Sequence, residues 1–600
     1  MLKLFKRCLA ALLMLIVLPT AIANAAAGFL PVDKIKPGMN GIAKTVVNGT
    51  KIEEFGVEVL GIMKNKGPSG DLILVRTYGD VINRTGGIVQ GMSGSPVYFD
   101  GQLAGAIAYG WPLSDHKIGM VTPIGDMLKL WEAPDKVNNR VFEQIDLSED
   151  INLFENIDKP AEEAVPVATP LMASGFTEQA LKMLTDKLKP LNMVPYSVGG
   201  APSDTDFGAI EPGSAVGVEL VRGDISLSAL GTATYVENGK VLAFGHPFLK
   251  KGNTGYFMTN AYIFTAVDGL ESGFKVGATG EAIGLINQDR GAGIAGQLNK
   301  FPSVIPVRIK VSDQQLGVNQ DYAVQVVHDD QLGPALAATV AFNAIDKTID
   351  RVGPGTAKVS FEIMARGMPG DVIKRDNMFY SAGSIGELSV AEFFEAMNMI
   401  ANNKFNSVDI MDVKINVDLT EERRTASITE ARSAVATARP GETISLTVKL
   451  KPFRGETVTR IVPFVIPKNQ PAGPLMLQVR GGGLVPLTQL LLKQQGIDLS
   501  KNQDRQKSFA DILKEFQNGP RNNDIVVEIM DMNIGNMLEQ TGGDSPIEPK
   551  KATKANPSKT VKPAVAIGAA ADSKEAAKTN FATDYIIDND TQVIINIVNP

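Results

Sequence analysis

The stretch TGGIVQGMSGSPVYFDGQLAGAIAYG at residues 85–110 constrains this chain more than any other. Its centre, Gly91-Met92-Ser93-Gly94-Ser95-Pro96, holds a serine between glycines. An apolar strand, an Asp100-Gly101 turn and a second apolar strand follow. A serine on such a turn presents its hydroxyl while neighbouring backbone N–H groups point inward, where they form a pocket for an oxyanion. Two readings fit the turn itself: a nucleophile on its strand-turn-strand support, or a glycine-rich hairpin with two solvated serines.

The rest of the chain bears on that choice. At 600 residues the chain exceeds one ordinary domain and predicts about three or four. With 44% hydrophobic and 21% charged residues it has a globular composition, and its net charge of -7 lacks the basic excess that nucleic-acid binding uses. Its 58 glycines and 34 prolines, with few aromatics, favour many short strands over long helices.

The N-terminus reads as a secretory leader. Lys3, Lys6 and Arg7 precede an apolar run over residues 8–19, and Ala23-Asn24-Ala25 supplies a small-x-small cleavage pattern. The run is short for a membrane span, and no later run is long and apolar enough. Cleavage near Ala25 removes the single cysteine, Cys8, and leaves no disulfide or thiol nucleophile. Such a chain fits an extracytoplasmic site in a bacterial envelope: periplasm, envelope or secreted. No cofactor and no metal site is expected, since the histidines are scattered and no cysteine remains.

Taken in order, residues 28–132 read as short strands around the serine hairpin, with IGMVTPI (118–124) leading into an amphipathic start. Residues 133–210, acidic and then Pro- and Ala-rich, read as a connector. Residues 211–310 return to strands, with GTATYVENGKVLAFGHPF turning at Glu-Asn-Gly and ending near His246. Residues 311–407 read as a mixed α/β continuation, including an amphipathic helix at 389–405 with Phe393, Met397 and Ile400 on one face. Residues 408–483 show strands at the turn spacing of a small β-sandwich. Residues 484–540 read as a helical and strand segment, 541–580 as a disordered linker, and 581–600 as a C-terminal strand segment.

A serine nucleophile needs a general base, commonly histidine. The chain has three: His116, His246 and His328. His246, between Gly245 and Pro247, sits at a strand end and is the first choice of base. His116 belongs to the loop after the serine hairpin, and His328 precedes Asp329 and Asp330 as a surface residue.

These motifs resemble the SpoIVB-type (stage IV sporulation protein B) serine peptidases. TGGIVQGMSGSP at 85–96 is similar to that family's nucleophile motif, and GKVLAFGH at 239–246 to its histidine strand end. IGLINQDRGAGIAG (283–296) is similar to a segment after the family's histidine half. The hairpin followed by a strand and Thr-Pro-Ile also resembles chymotrypsin-like and HtrA-like proteases. The resemblance implies a mainly β fold: a chymotrypsin-like double β-barrel, with residues 28–132 and 211–310 as its halves, plus the C-terminal sandwich and a few helices. It implies acyl transfer by Ser93 with His246 as base and the N–H groups of Gly91 and Ser93 as oxyanion hole. Ser95 is the second choice of nucleophile. Three departures stand out. The serine half precedes the histidine half, the reverse of the family order. Tyr78 occupies the position of the family's acid, leaving Asp80 as the nearest carboxylate. No segment resembles the family's PDZ domain.

Two functions follow. One is an exported serine endopeptidase acting on a protein or peptide, including its own chain, with a cell-envelope protein as a further partner. The other is a catalytically inactive peptidase-fold protein serving as an envelope binding or scaffold module.

Overall fold

The computed structural model describes residues 28–67, 70–134, 165–166, 170–191, 193–269, 273–485, 507–530 and 578–598. The leader at 1–25 and nearly all of the expected linker at 541–580 lie outside them. The chain divides into two compact units, one of Met1–Val304 with Val324–Asp329, the other of Ile305–Ala323 with Asp330–Pro600.

In the first unit, β1 (Asn40–Val46), β2 (Ile52–Gly67), β3 (Gly70–Tyr78), β4 (Pro96–Phe99), β5 (Gln102–Gly110) and β6 (Ile118–Pro123) form a sheet ordered β4-β1-β2-β3-β6-β5. A β4–β5 pairing closes it into a six-stranded antiparallel barrel. The two-residue alternation of the sequence does this work. In β3, Ile73, Val75 and Thr77 point inward, while Arg76 and Tyr78 face solvent. Ala43, Phe55, Val57, Val59, Val97, Phe99, Ile107 and Val121 complete the filling, and burying each large side chain stabilises by roughly 1.5–3 kcal/mol. Helix α1 (Asp80–Thr85) follows β3 and buries Val81 and Ile82. It stops at Gly86, which takes the left-handed conformation (φ 72°). Helix α2 (Ile124–Leu128) leaves β6 directly after Pro123 and buries Ile124 and Met127.

Strand β7 (Val165–Pro166) adds to β5. Strands β8 (Leu171–Ser174) and β9 (Pro195–Val198) flank helix α3 (Glu178–Leu188), whose first turn is capped by the Thr177 side chain. The second barrel comprises β10 (Ala215–Gly223), β11 (Ser226–Glu237), β12 (Lys240–Ala243), β13 (Gly252–Val267), β14 (Phe274–Arg290) and β15 (Gly293–Leu298). Its order is β10-β13-β14-β15-β12-β11, closed by β10 on β11. Asn238 and Gly239 turn β11 into β12 with φ of 51° and 75°, the geometry that favours Asn-Gly in tight hairpins. The stretch expected to be a connector thus supplies structure: β8 pairs with β11, and Leu171, Met172 and Ala173 are buried. Four-residue strands among prolines are too short to display a period, which hides them in the sequence.

β16 (Val304–Asp313) precedes β17 (Val318–Val327), whose last residues, from Val324, count with the first unit; helix α4 (Leu332–Ile349) of the second unit is buried on nearly every side. β18 (Gly355–Arg366) pairs antiparallel with β19 (Val372–Ser381) and β20 (Asp409–Thr420), and β20 runs parallel to β16. Helices α5 (Ile385–Ser389) and α6 (Ala391–Ala401) bury Ile385, Phe393, Met397 and Ile400. A β-sandwich follows. One sheet is ordered β24 (Val458–Val465), β23 (Thr443–Pro452), β21 (Thr425–Ser433), β28 (Ile586–Ile587). The other is ordered β22 (Thr437–Ala438), β29 (Asp590–Ile597), β25 (Gly473–Gly481), β26 (Asp524–Ile529), β27 (Lys578–Ala582). Leu446, Val448, Leu477, Val479, Ile525 and Ile595 share its core. Helix α7 (Phe509–Asn518) starts at a capping box of Ser508 and Asp511. The sandwich begins at Thr425 rather than 408, because β20 joins β16 and β18, and it takes strands from beyond 520. Alternation marks a half-buried strand without naming its neighbour, so the sequence pattern cannot assign these partners.

The fold is mainly β, a chymotrypsin-like double barrel followed by further sheet regions and a few helices. No described helix is long and apolar enough to cross a membrane.

Candidate active site

Ser93 lies in the turn between α1 and β4. The turn is held by its own backbone: Met92 N–H donates to Val89 O at 3.0 Å, and Ser95 N–H to Met92 O at 3.0 Å. It is anchored to β5 by Gly94 N–H on Ile107 O and Ile107 N–H on Ser95 O. Gly91 and Gly94 have φ of 91° and 93°, which L side chains rarely adopt. At Gly94 a Cβ would also lie 1.9 Å from Thr232 O, so only glycine fits. Ser93 is fully buried, and among the described residues its Oγ has no hydrogen-bond partner. The Ser95 hydroxyl, by contrast, donates to Met92 O at 2.6 Å.

The same anchors aim two donors. In a trans peptide the N–H points opposite to the C=O. Met92 O is fixed by the N–H and Oγ of Ser95, which turns the Ser93 N–H the other way. Gln90 O accepts from Lys275 N–H at 2.9 Å, which does the same for the Gly91 N–H. Among the described residues neither the Gly91 nor the Ser93 N–H is taken up by another group, whereas those of Met92, Gly94 and Ser95 are. Two unspent donors beside one serine hydroxyl can receive the negative oxygen of a tetrahedral intermediate.

His246 follows β12 through a sharp reversal in which Phe244 and Gly245 both take left-handed φ, 68° and 70°. For phenylalanine this costs roughly 1–2 kcal/mol, so the surroundings must impose it. They do: Phe244 N–H reaches Thr232 O, and Thr122 Oγ donates to Gly245 O at 2.6 Å. Gly245 rests against β5, where a Cβ would stand 3.2 Å from Ala106, Ala108 and Ile107 O. Ile107 O is also the acceptor for Gly94 N–H. The serine and histidine turns are therefore clamped to the same strand residue. The Tyr109 and Phe244 rings lie 6.3 and 5.9 Å from the imidazole, which is 2% exposed. Burial pushes the Tyr109 phenol up, which keeps it neutral. His246 Nδ1 is 2.8 Å from Pro247 O. A carbonyl only accepts, so Nδ1 carries the proton and Nε2 of the neutral ring carries the lone pair a base needs.

The carboxylates are arranged differently from expectation. Asp80 begins α1, its side chain is 85% exposed, and it pairs with Arg84 at 2.9 Å, so the fold does not bring it to His246. The Tyr78 hydroxyl donates outward to Asn40 Oδ1. The buried acid behind the histidine turn is Asp289 on β14, which sequence reasoning missed. It accepts Phe248 N–H at 2.8 Å and Leu249 N–H at 2.7 Å, fixing the chain just after His246. Burial raises its pKa, and those backbone donors work against the rise. Its signal was only one acid among the polar residues Asn287, Gln288 and Arg290 at the end of a long strand. His116 supports the serine turn through its backbone, its carbonyl accepting Ile88 N–H at 2.7 Å, and His328 lies half-buried beyond β17.

Residues 22–128 match the family model described as SpoIVB peptidase S55. No curated protein and no solved structure matches the chain. The matched segment holds the whole first barrel and the Ser93 turn and ends in α2, while His246 and Asp289 lie beyond it. Over residues 22–128, then, the chain is similar to the SpoIVB peptidase S55 family.

Proposed function

We propose that the protein is an exported serine endopeptidase in which Ser93 is the nucleophile and His246 the general base. The observation that carries this reading is the unbonded, buried Ser93 hydroxyl flanked by two unspent N–H donors, with the His246 turn packed on the same strand. Ser93 Oγ attacks the peptide carbonyl as its proton passes to His246 Nε2, and the oxyanion rests on the Gly91 and Ser93 N–H groups. Collapse breaks the C–N bond, and His246 returns the proton to the leaving amine. Water, activated by the same base, then hydrolyses the acyl-serine. The Pro247 carbonyl orients the imidazole where triads place a carboxylate, and Asp289 acts one step further back as a positioning residue. The leader pattern at residues 3–25 supports an extracytoplasmic site of action on protein or peptide substrates, the chain itself included, with an envelope protein as a further partner.

One observation favours a second reading, a catalytically silent peptidase-fold protein that binds envelope partners: both Ser93 and His246 are closed off from solvent. Fluorophosphonate labelling and casein hydrolysis by the purified mature protein separate the two. The endopeptidase reading expects wild type to label and cleave, and Ser93→Ala or His246→Ala to lose about 10³-fold or more in kcat. Labelling that persists in Ser93→Ala sinks the assignment; an inert wild type selects the binding module.

A further inference from the structure

Lys275 is the second residue of β14 and is completely buried. Its backbone N–H holds Gln90 O, and its aliphatic stem lies on Gly91, where a Cβ would approach the Lys275 Cβ, Cγ and Cδ to 3.1–3.2 Å. Its amine reaches Thr45 Oγ at 2.9 Å and Thr232 Oγ at 3.3 Å. Thr232 carries the connection onward: its hydroxyl donates to Gly91 O at 3.0 Å, and its N–H donates to Ser93 O at 2.9 Å. The groups facing the amine from β1, β11 and the serine turn are thus Thr45, Thr232 and Gly91, all uncharged. No carboxylate pairs with it among the described residues, and burial lowers its pKa to about 7. An ammonium without a counter-charge is costly to enclose, so stability alone does not account for a lysine here. A group that burdens the fold and grips a reactive turn points to a role in that turn.

We propose that Lys275 is a positioning residue of the serine site, its amine acting through Thr232 to hold the Gly91–Ser93 turn in the form that presents both N–H donors. Thr232 Oγ has one proton, which it gives to Gly91 O, so its lone pairs are left to accept from the Lys275 amine, with Thr45 Oγ also 3.5 Å away. The catalytic part of the proposal rests on the endopeptidase reading; the positioning part does not.

The test uses Lys275→Met, which keeps the stem on Gly91 and removes the amine, and Thr232→Val, which breaks the relay while leaving the lysine. Two readouts are taken on the purified mature protein: kinetic constants, and amide hydrogen exchange over residues 88–95. Lys275→Met is expected to fold with a Tm at or above wild type, to lose about tenfold or more in kcat with KM little changed, and to exchange faster over 88–95. Thr232→Val is expected to move both readouts the same way, and the double variant to be no worse than the poorer single one. Folded Lys275→Met with unchanged kcat, or with unchanged exchange over 88–95, overturns the proposal. If Lys275→Met fails to fold, Thr232→Val decides by the same two criteria. If wild type is inert, the endopeptidase reading falls by itself, and exchange alone decides: faster supports the positioning role, unchanged removes it.

Discussion

The two barrels of the first unit share one plan and differ in what they bury. Each is six antiparallel strands closed on itself. The polar residues buried in the serine-bearing barrel and its loops are uncharged, among them Thr45, Thr77, Thr122, Ser93 and Ser95. The histidine-bearing barrel encloses Glu219, His246, Lys275 and Asp289. The first builds its part of the site from backbone and glycine within a few consecutive residues. The second supports its part with ionisable side chains spread over β10, the turn after β12 and β14. A local device leaves a dense mark in sequence, and the family match indeed covers the first barrel and stops before the second. A distributed device leaves isolated charges that each resemble an ordinary surface residue.

Substitutions probe that contrast. The largest effect in this set is expected at Asp289. Asp289→Ala removes the acceptor of the half-buried Phe248 and Leu249 N–H groups, and at about 1–3 kcal/mol for each group left unsatisfied the loss in urea denaturation is at most about 2–6 kcal/mol. Asp289→Asn retains one acceptor oxygen and should recover part of that loss. A wild-type-like Asp289→Ala would mean that the second barrel does not depend on its buried charges.

Lys275 gives a smaller, pH-graded effect. The unfolded chain keeps this proton up to about pH 10.4, whereas burial lowers the folded value to about 7. Between these values the unfolded state binds more protons, so this residue's contribution makes stability rise with pH. Below about pH 7 its cost is present in full. The stability advantage of Lys275→Met over wild type should therefore be widest near neutral or lower pH and shrink steadily toward about pH 10. Denaturation midpoints taken across that range check it, and a gap independent of pH contradicts it. The smallest effect is expected in the first barrel: Asp80→Asn breaks only an exposed pair with Arg84. It should leave kcat unchanged and alter stability by less than about 1 kcal/mol. A large drop in kcat would return Asp80 to the site.

How far the sequence could be read follows the same division. Glycines at 91 and 94, the Asp100-Gly101 turn and the alternation of β3 state the serine barrel in local terms. His246 was accessible because histidines are scarce and because Gly245 and Pro247 mark a chain reversal. Lys275 was not, since Phe274-Lys275-Val276 reads as one polar residue facing water from an alternating strand. Only the contact with the serine turn makes that outward face an interior one. Asp289 was hidden likewise, because its partners are backbone groups some 40 residues away. The sandwich strands 524–529 and 590–597 could be seen as strands but not assigned to β25, whose two neighbours they become.

The hydrogen bond from Thr232 N–H to Ser93 O sets an order in time. A nascent chain that has completed β1 to β6 already contains the serine, yet the anchors at Thr232, Phe244 and Lys275 do not exist until well over a hundred further residues have been made. Until then nothing pins the Ser93 carbonyl or turns the Gly91 peptide, and no histidine stands against β5. The turn therefore acquires its final form only when the second barrel docks on it. Whatever chemistry it performs becomes available only in the finished fold.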